Sequence, residues 1–262
     1  MLKWVNPSIR LRALLLGAAA LVSGCAMTEG TGTDAYSATP ATLKTFSGQL
    51  PGPGLPPGWS PLEFGSLKKA TSYDLVSQDG RTVLRASADA SASGLIQRVR
   101  FDPHQFPLLS WSWKVPALIA GADNTVGVRE DSPVRIIVAF QGDVATLPVM
   151  ERVTFKQFQM LTRRELPFAT LMYIWENHAP RNTVITSAHT SRIKMIVAES
   201  GASRLGSWQQ ITRNLYDDYK MAFGDEPPQV KWIGIMTDTD NTGESASAFY
   251  GDIKLERAAA TR

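Results

Sequence analysis

One short segment of the sequence combines an aromatic ring with three polar side chains of different chemistry. Trp175, Glu176, Asn177 and His178 follow one another at the end of an apolar run. An indole face beside a carboxylate, an amide and an imidazole offers an apolar surface with directional donors and acceptors, which is typical of saccharide and other small-ligand sites. We therefore predict a ligand-binding loop here. The alternative is that Trp175 fills the core and its neighbours form a polar turn before Pro180.

Two arginines lie close in sequence to acids that could join this site. Arg135 follows Asp131, and Arg213 precedes Asp218. Asp131, Glu176 and Asp218 could supply the paired carboxylates of glycoside hydrolysis, with an arginine lowering the pKa of one of them. Buried ion pairs that fix loops explain the same residues without catalysis. We count Asp131, Arg135, Arg213 and Asp218 as candidate ligand-binding residues.

An acidic loop near the carboxyl terminus is a candidate cation site. Asp238, Asp240 and Asn241 offer alternating oxygen ligands before Gly243, a pattern that suits calcium. The spacing to Glu244 is too short for an EF-hand. An Asx-rich turn at a strand end explains the same residues without a metal. We expect no cofactor other than a structural calcium ion at such a loop.

The sequence carries few of the residue patterns that catalysis requires. It contains neither a Gly-x-Ser-x-Gly elbow nor a His-Glu-x-x-His motif, and its three histidines are His104, His178 and His189. A serine hydrolase is therefore disfavoured, and a binding protein is favoured over an enzyme.

The amino terminus has the order of a bacterial export signal. Three cations precede or open the apolar run Leu11–Val22, which is too short for a membrane span of about 20 residues. Leu21–Cys25 resembles the lipobox of lipoproteins, which implies cleavage after residue 24 and lipidation of Cys25. Ala26 follows where an inner-membrane retention signal would have Asp. The resemblance thus implies an acyl anchor in the lipid bilayer of the outer membrane, with the domain facing the periplasm.

Removal of the signal peptide changes the charge balance. The whole chain has 27 Lys and Arg against 24 Asp and Glu, and residues 1–24 hold three of these cations and no acid. The mature chain therefore has 24 of each sign and no net charge. A nucleic-acid-binding protein is disfavoured, because its phosphate contacts call for an excess of cations. Cys25 is the only cysteine, so the mature domain has no disulfide.

The mature sequence divides into a tether, one domain and a short tail. Residues 25–58 are rich in Thr, Gly and Pro and indicate a flexible tether, residues 59–257 form one domain, and residues 258–262 are a tail. Short runs with period-two alternation predict eleven strands: Trp59–Phe64, Tyr73–Ser77, Thr82–Ala88, Gly94–Phe101, Leu108–Val115, Val134–Phe140, Thr170–Trp175, Ile193–Glu199, Trp208–Thr212, Lys231–Asp238 and Ala248–Glu256.

Helical signals are confined to two segments. Met150–Leu166 has apolar residues near helical spacing and is expected to be an amphipathic helix or a large loop. Leu215–Phe223 has Asn214 as its N-cap and Gly224 as its C-cap, which predicts a short helix. Many short strands with so few helices predict a mostly β protein, an antiparallel β-sandwich.

Several phrases resemble an uncharacterised bacterial family, the domain of unknown function 3047. They include Ser91–Leu95, Leu109–Lys114, Asp131–Arg135, Leu171–Trp175 and Thr237–Gly243. The sequence departs from the family pattern at Glu130, where we expect Asp. The family brings no assigned activity with it.

The last strand also resembles that of jelly-roll carbohydrate-binding modules. The segment Phe249–Leu255 combines an aromatic residue, an Asp and an Ile, as those modules do at their end. The resemblance implies a galactose-binding-like jelly roll. It also implies that Asp252 could bind calcium with an early acid such as Glu63.

Three classes of function stay open. A protein that binds a saccharide, peptidoglycan or another envelope ligand without transforming it agrees best with the sequence. A glycan-active hydrolase or lyase is the first alternative, and a structural protein that docks on an envelope assembly is the second. A groove that holds Trp175 and two facing acids favours the enzyme, and a flat face favours docking.

Overall fold

Runs of alternating apolar and polar residues form most of the strands of this chain, which we describe from a computed structural model that covers residues 42–65 and 68–258. These residues form thirteen strands: β1 (Gly52–Pro53), β2 (Ser60–Glu63), β3 (Ser72–Gln78), β4 (Arg81–Asp89), β5 (Ala92–Phe101), β6 (Leu108–Lys114), β7 (Ser132–Phe140), β8 (Ala169–Glu176), β9 (Val184–Thr186), β10 (Ile193–Ser200), β11 (Gln209–Asn214), β12 (Val230–Asp238) and β13 (Ser245–Glu256). All eleven predicted strands are present, and β1 and β9 are additional. The predicted signal peptide, Cys25 and part of the tether and tail lie outside the described residues.

The strands form two sheets that pack face to face. The six-stranded sheet has the order β1-β3-β4-β13-β6-β11, and the seven-stranded sheet has the order β2-β5-β12-β7-β8-β10-β9. The fold is a mostly β sandwich of two sheets, as predicted. The purely antiparallel arrangement was wrong in one place, because β10 pairs with β8 in parallel. After β8 the chain forms the edge strand β9 and then returns as β10, which lies between β8 and β9. Strand β10 is therefore antiparallel to β9 and parallel to β8.

The core between the sheets is built from large aromatic side chains. Trp111 and Trp113 alternate with serines on β6 and both face inward, where their rings pack edge to face at 5.4 Å. Tyr173 from β8 lies 4.9 Å from Trp111. Each aromatic side chain of this size removes a large apolar area from water, so this cluster joins the two sheets.

The outer faces of the two sheets differ sharply. Much of the outer face of the seven-stranded sheet is buried, including Ile137, Ile174 and Met236, although Arg98 and Arg100 at the end of β5 are exposed. In contrast, Arg85 and Gln210 on the outer face of the six-stranded sheet are exposed. The six-stranded sheet therefore presents the accessible face.

The folded domain begins earlier than predicted. Leu43 and Phe46 are buried in the core, and the ring of Phe46 stacks on Trp59 with the centroids 5.1 Å apart. The tether expected to continue to residue 58 is therefore shorter, because two apolar side chains are enough to fix this segment against the sandwich.

Both predicted helices are present. Helix α1 (Val149–Thr162) ends at Arg163, which adopts the left-handed conformation. Helix α2 (Leu215–Phe223) has the predicted caps, and the side chain of Asn214 accepts a hydrogen bond from the backbone of Asp217. Among the described residues, neither helix has the length and hydropathy needed to cross a membrane.

Candidate functional site

Arg135 and Asp238 form a bidentate ion pair on the buried outer face of the seven-stranded sheet. The distances are 2.8 Å from Nε to Oδ1 and 3.0 Å from Nη2 to Oδ2. Burial raises the pKa of Asp238 to about 6 against the opposing effect of Arg135. Arg135 was expected near Asp131, but strand pairing of β7 with β12 places Asp238 beside it instead. The guanidinium also donates to the carbonyl of Glu130 and to Asn124.

Asp131 holds the acidic loop that we considered as a calcium site. Its carboxylate accepts hydrogen bonds from the backbone of Asn241 and from the backbone and hydroxyl of Thr242. Carboxylate oxygens of Asp131, Asp238 and Asp240 lie within 4.8 Å of one another. This closeness alone does not favour a cation, because these oxygens already have protein partners.

The charges around these three acids are largely compensated. Asp238 is paired with Arg135, and Asp240 forms an ion pair with Lys68. The side chain of Asn241 donates to the carbonyl of Gly127. Ion pairs and hydrogen bonds within the protein thus hold residues 238–241, as expected of an Asx-rich turn at the end of a strand.

The predicted ligand loop after β8 is a structural junction. Trp175 is completely buried, and its Nε1 donates to the carbonyl of Gly201 at 3.0 Å. A ring with no exposed surface cannot serve as a platform, so the predicted aromatic platform at Trp175 was wrong. Trp175 and Tyr173 are two residues apart on β8, so their side chains lie on the same face of the strand, and both rings point into the core.

Glu176 and Asn177 hold neighbouring loops. The buried carboxylate of Glu176 accepts hydrogen bonds from the backbone of His178 and Ala179, and from Asn124 at 3.4 Å. Asn177 donates through Nδ2 to the carbonyls of Ile119 and Ala122 at 2.7 and 3.0 Å. These contacts fasten the loop that precedes Asp131 over the end of the sheet. His178 is attached here through its backbone.

Asp218 and Arg213 form a second ion pair, as expected. Asp218 accepts from Nε and Nη2 of Arg213 at 2.8 and 2.5 Å and from the hydroxyl of Tyr173 at 2.9 Å. Burial and then the charge of Asp218 raise the pKa of Tyr173. Both oxygens of Asp218 are engaged, so Arg213 holds α2 to β11 and Tyr173 holds it to β8. The three acids named for hydrolysis, Asp131, Glu176 and Asp218, are thus each engaged by protein donors.

Asp252 holds the amino-terminal segment. It accepts hydrogen bonds from the backbone of Phe46 at 2.7 Å and of Ser47 at 3.0 Å. The calcium pairing with Glu63 is not favoured, because Glu63 lies on β2 in the other sheet. Asp252 is therefore a cap for residues 46 and 47.

The accessible face of the six-stranded sheet contains a hollow that the sequence analysis missed. Gly251 lines the hollow, at a bulge in the pairing of β13 with β6. A Cβ atom at Gly251 would lie only 2.1 Å from Oγ of Ser112, so a side chain here would displace its neighbour. The hollow has a volume of about 140 Å³. Its walls are mainly polar and include Arg81, Gln210, Asp252 and Lys254.

An aromatic residue lies beside this hollow. The guanidinium of Arg81 lies over the ring of Trp208, 4.2 Å from its centroid, and Trp208 Nε1 donates to Asp79 at 2.9 Å. Trp208 and Phe249 are both partly exposed. Trp208 precedes β11 opposite Lys114, and Phe249 pairs with Lys114 from the other side. Trp208, Lys114 and Phe249 therefore form one row across β11, β6 and β13, with an aromatic ring on each side of the cation.

Sequence reasoning missed this site because its residues come from distant segments. Arg81, Ser112, Gln210 and Gly251 are brought together only by the order of the strands. The one local signal was the glycine in the last strand, since an isolated glycine in a strand commonly marks a bulge or a close approach.

The fold and site define a two-sheet β-sandwich protein with a polar hollow on its accessible sheet. The chain belongs to the family described as "Protein of unknown function (DUF3047)", whose model matches residues 57–254. No curated protein matches the chain.

Solved structures that match the chain include three of different kinds. A family 30 carbohydrate-binding module of a Clostridium thermocellum cellulosomal cellulase has 14% identity and a TM-score of 0.33, with 79% of this chain and 90% of that chain covered. Endoglucanase 3 of Trichoderma harzianum has 8% identity and a TM-score of 0.40, with 77% and 91% covered. A cyclase from Fischerella sp. TAU has 11% identity and a TM-score of 0.33, with 87% and 94% covered.

Proposed function

We propose that this protein is an exported envelope lipoprotein whose folded domain binds a saccharide in the hollow at Gly251, without transforming it. The observation that carries the proposal is the contrast between the sheets. Much of the outer face of the seven-stranded sheet is buried, whereas the six-stranded sheet carries a polar depression beside an aromatic ring.

The chemistry of the walls suits a ligand with several hydroxyl groups. Arg81 and Lys254 are donors, Gln210 is both donor and acceptor, and Ser112 contributes a hydroxyl at the floor. A sugar ring presents hydroxyls at its edge and CH groups on its face. Trp208 and Phe249 supply apolar surface for those CH groups at one side of the hollow.

Binding without catalysis agrees with the state of the acids. Glycoside hydrolysis uses two carboxylates that face the substrate, one as an acid and one as a base or nucleophile. Asp252 is the acid that lines the hollow, and its carboxylate is occupied by residues 46 and 47. Asp131, Glu176 and Asp218 are engaged elsewhere and do not line it.

The anchor part of the proposal depends on the amino-terminal sequence alone. The lipobox-like segment Leu21–Cys25 supports lipidation of Cys25, and Ala26 supports the outer membrane with the domain on the periplasmic side. If so, Cys25→Ser loses its acyl groups, and intact-mass analysis should show a chain with no diacylglycerol. An unmodified wild-type chain, recovered without acyl groups, would contradict the anchor.

The saccharide part is tested with variants of the walls. Solubilised full chain is cosedimented with purified peptidoglycan and, separately, run in native gels that contain a soluble β-glucan. Trp208→Ala and Gln210→Ala should each weaken retention, because each removes part of the wall or rim. Ser87→Ala is the matched control, since Ser87 is exposed on the same sheet four residues beyond Val83 on β4. Wild-type protein that binds neither polymer, or wall variants that bind as wild type does, would contradict the proposed site.

A further inference from the structure

We propose that a second cavity, beside α1, binds a single-chain anionic amphiphile, with its acyl chain along the apolar lining and its head group at Arg152 and Lys156. This inference is independent of the saccharide proposal, because the cavity and the hollow at Gly251 share no lining residue. It rests on the shape and lining of the cavity, on an unpaired cationic donor and on the exposed face of α1.

The cavity is formed where the chain turns into and out of α1. A single 3-10 turn, residues 144–146, precedes the helix, and the side chain of Asp143 caps it by accepting from the backbone of Ala145 at 2.8 Å. After the helix, Arg163 adopts the left-handed conformation, and Leu166 of the following segment also lines the cavity. The space between these segments is about 610 Å³.

The lining favours an apolar ligand with a negative group. The lining is predominantly apolar and includes Val144, Val149, Val153, Phe155 and Leu166. A volume of this size lies within the range of about 300 to 1,000 Å³ that small-molecule sites occupy. A saccharide would leave its hydroxyls unpaired against such walls, whereas an acyl chain would bury apolar surface on both sides.

Two cations and one acid complete the lining. Arg152 and Lys156 lie one turn apart on α1, and Gln159, one turn further along the same face, donates to Glu165 at 3.5 Å. The Nε of Arg152 is buried and has no hydrogen-bond partner among the described residues. A buried donor on a cationic group lacks an acceptor here, and a carboxylate or phosphate head group would supply one.

The outward face of α1 is also apolar. Val149, Val153 and Met160 lie on one stripe of the helix, with Met150 and Leu161 beside it, and Met160 and Leu161 are 82% and 78% exposed. Val149 and Val153 belong to both this stripe and the cavity lining. Phe155 is the one residue of α1 that is buried in the described structure, and Glu151 also attaches the helix by accepting hydrogen bonds from Thr190 and Ser191. Cations beside an apolar helix face are typical of helices that contact anionic lipid surfaces, where an amphiphile would be available.

The experiment uses a photoreactive alkyne fatty acid added to isolated membranes that contain the full chain. Irradiation and mass spectrometry should map the crosslinks to residues 144–166. Arg152→Ala combined with Lys156→Ala should reduce labelling by about tenfold, the equivalent of losing one strong charge-assisted contact. Arg163→Gln is the control, since Arg163 is a cation at the end of the same helix that does not line the cavity. It should label as wild type does.

Competition separates charge from chain length. Excess dodecanoate should prevent labelling, whereas dodecyltrimethylammonium, with the same chain and the opposite charge, should compete at least about tenfold less well. Val153→Glu, which places an acid in the lining, should abolish labelling while the thermal melt stays near that of wild type. Crosslinks outside residues 144–166, unchanged labelling in the double variant, or equal competition by the two amphiphiles would each overturn the proposal.

Discussion

The guanidinium of Arg135 and the carboxylate of Asp238 meet in a bidentate pair on adjacent strands, with both side chains buried on the outer face of the seven-stranded sheet. The pair connects two loops, because Arg135 also donates to Glu130 and Asn124, and Asp238 accepts from the backbone of Ser132. Its geometry therefore determines how the loops close over this end of the sandwich.

Arg135→Ala should lower the free energy of unfolding by about 3–5 kcal/mol, because it leaves the buried carboxylate of Asp238 without its partner. Arg85→Ala is the matched control. Arg85 pairs with Asp74 at 3.1 Å on the exposed face, so its loss should cost about 1 kcal/mol or less. Urea unfolding measures both values. Equal, small effects for the two variants would show that the Arg135 pair contributes no more than a surface pair.

The stability conferred by Asp238 should depend on pH in a definite direction. The folded chain binds a proton at Asp238 near pH 6, whereas the unfolded chain does so only near its ordinary value of 3.8. This contribution is complete below pH 3.8 and is lost as the pH rises through 6. As the pH falls from about 6 to about 4, the free energy of unfolding of wild type should thus rise, relative to that of Asp238→Asn, by about 1.4 kcal/mol per pH unit.

Urea unfolding of wild type and Asp238→Asn at pH 7, 5.5 and 4.5 measures this difference. Subtracting the two free energies of unfolding removes the titrations that both proteins share. A difference that changes in the opposite direction would mean that Arg135 outweighs burial and holds the pKa of Asp238 below its ordinary value.

Replacement of two tryptophans should separate the core from the accessible face. Trp175→Ala should cost about 3–5 kcal/mol, because the side chain is fully buried and its loss leaves a cavity. Trp208→Ala should cost about 1 kcal/mol or less, since this partly exposed ring contacts mainly Arg81 and Asp79. Thermal melts compare the two, and a Trp175 variant as stable as wild type would contradict the buried placement of its ring.

Glu176→Leu should loosen the loop that covers the end of the seven-stranded sheet. The partly buried backbone donors of His178 and Ala179 would lose their acceptor, and so would the buried backbone donor of Asn124, for which an unsatisfied donor costs about 1–3 kcal/mol. Amide hydrogen exchange should become faster at residues 122–126 and 177–180. Glu226→Leu removes an exposed carboxylate and should leave exchange there unchanged. Unchanged exchange in Glu176→Leu would mean that other contacts hold the loop.

The sequence by itself determined the local structure. The eleven predicted strands follow from period-two alternation, and the limits of α2 follow from Asn214 and Gly224. Both kinds of signal are local, because the side chains that cause them lie within a few residues of the backbone they affect. The position of Arg213 beside Asp218 could be predicted for the same reason, since only five residues separate them.

Tertiary structure alone decided which residues share a site. Arg135 pairs with Asp238, 103 residues away, rather than with nearby Asp131, because β12 rather than the preceding loop lies beside β7. The inward direction of Trp175 depends on which face of β8 meets the other sheet, and alternation alone leaves both faces open. The hollow at Gly251 depends on strand order in the same way. Contacts of this kind are set by the pairing of distant strands, a long-range property that no short segment encodes.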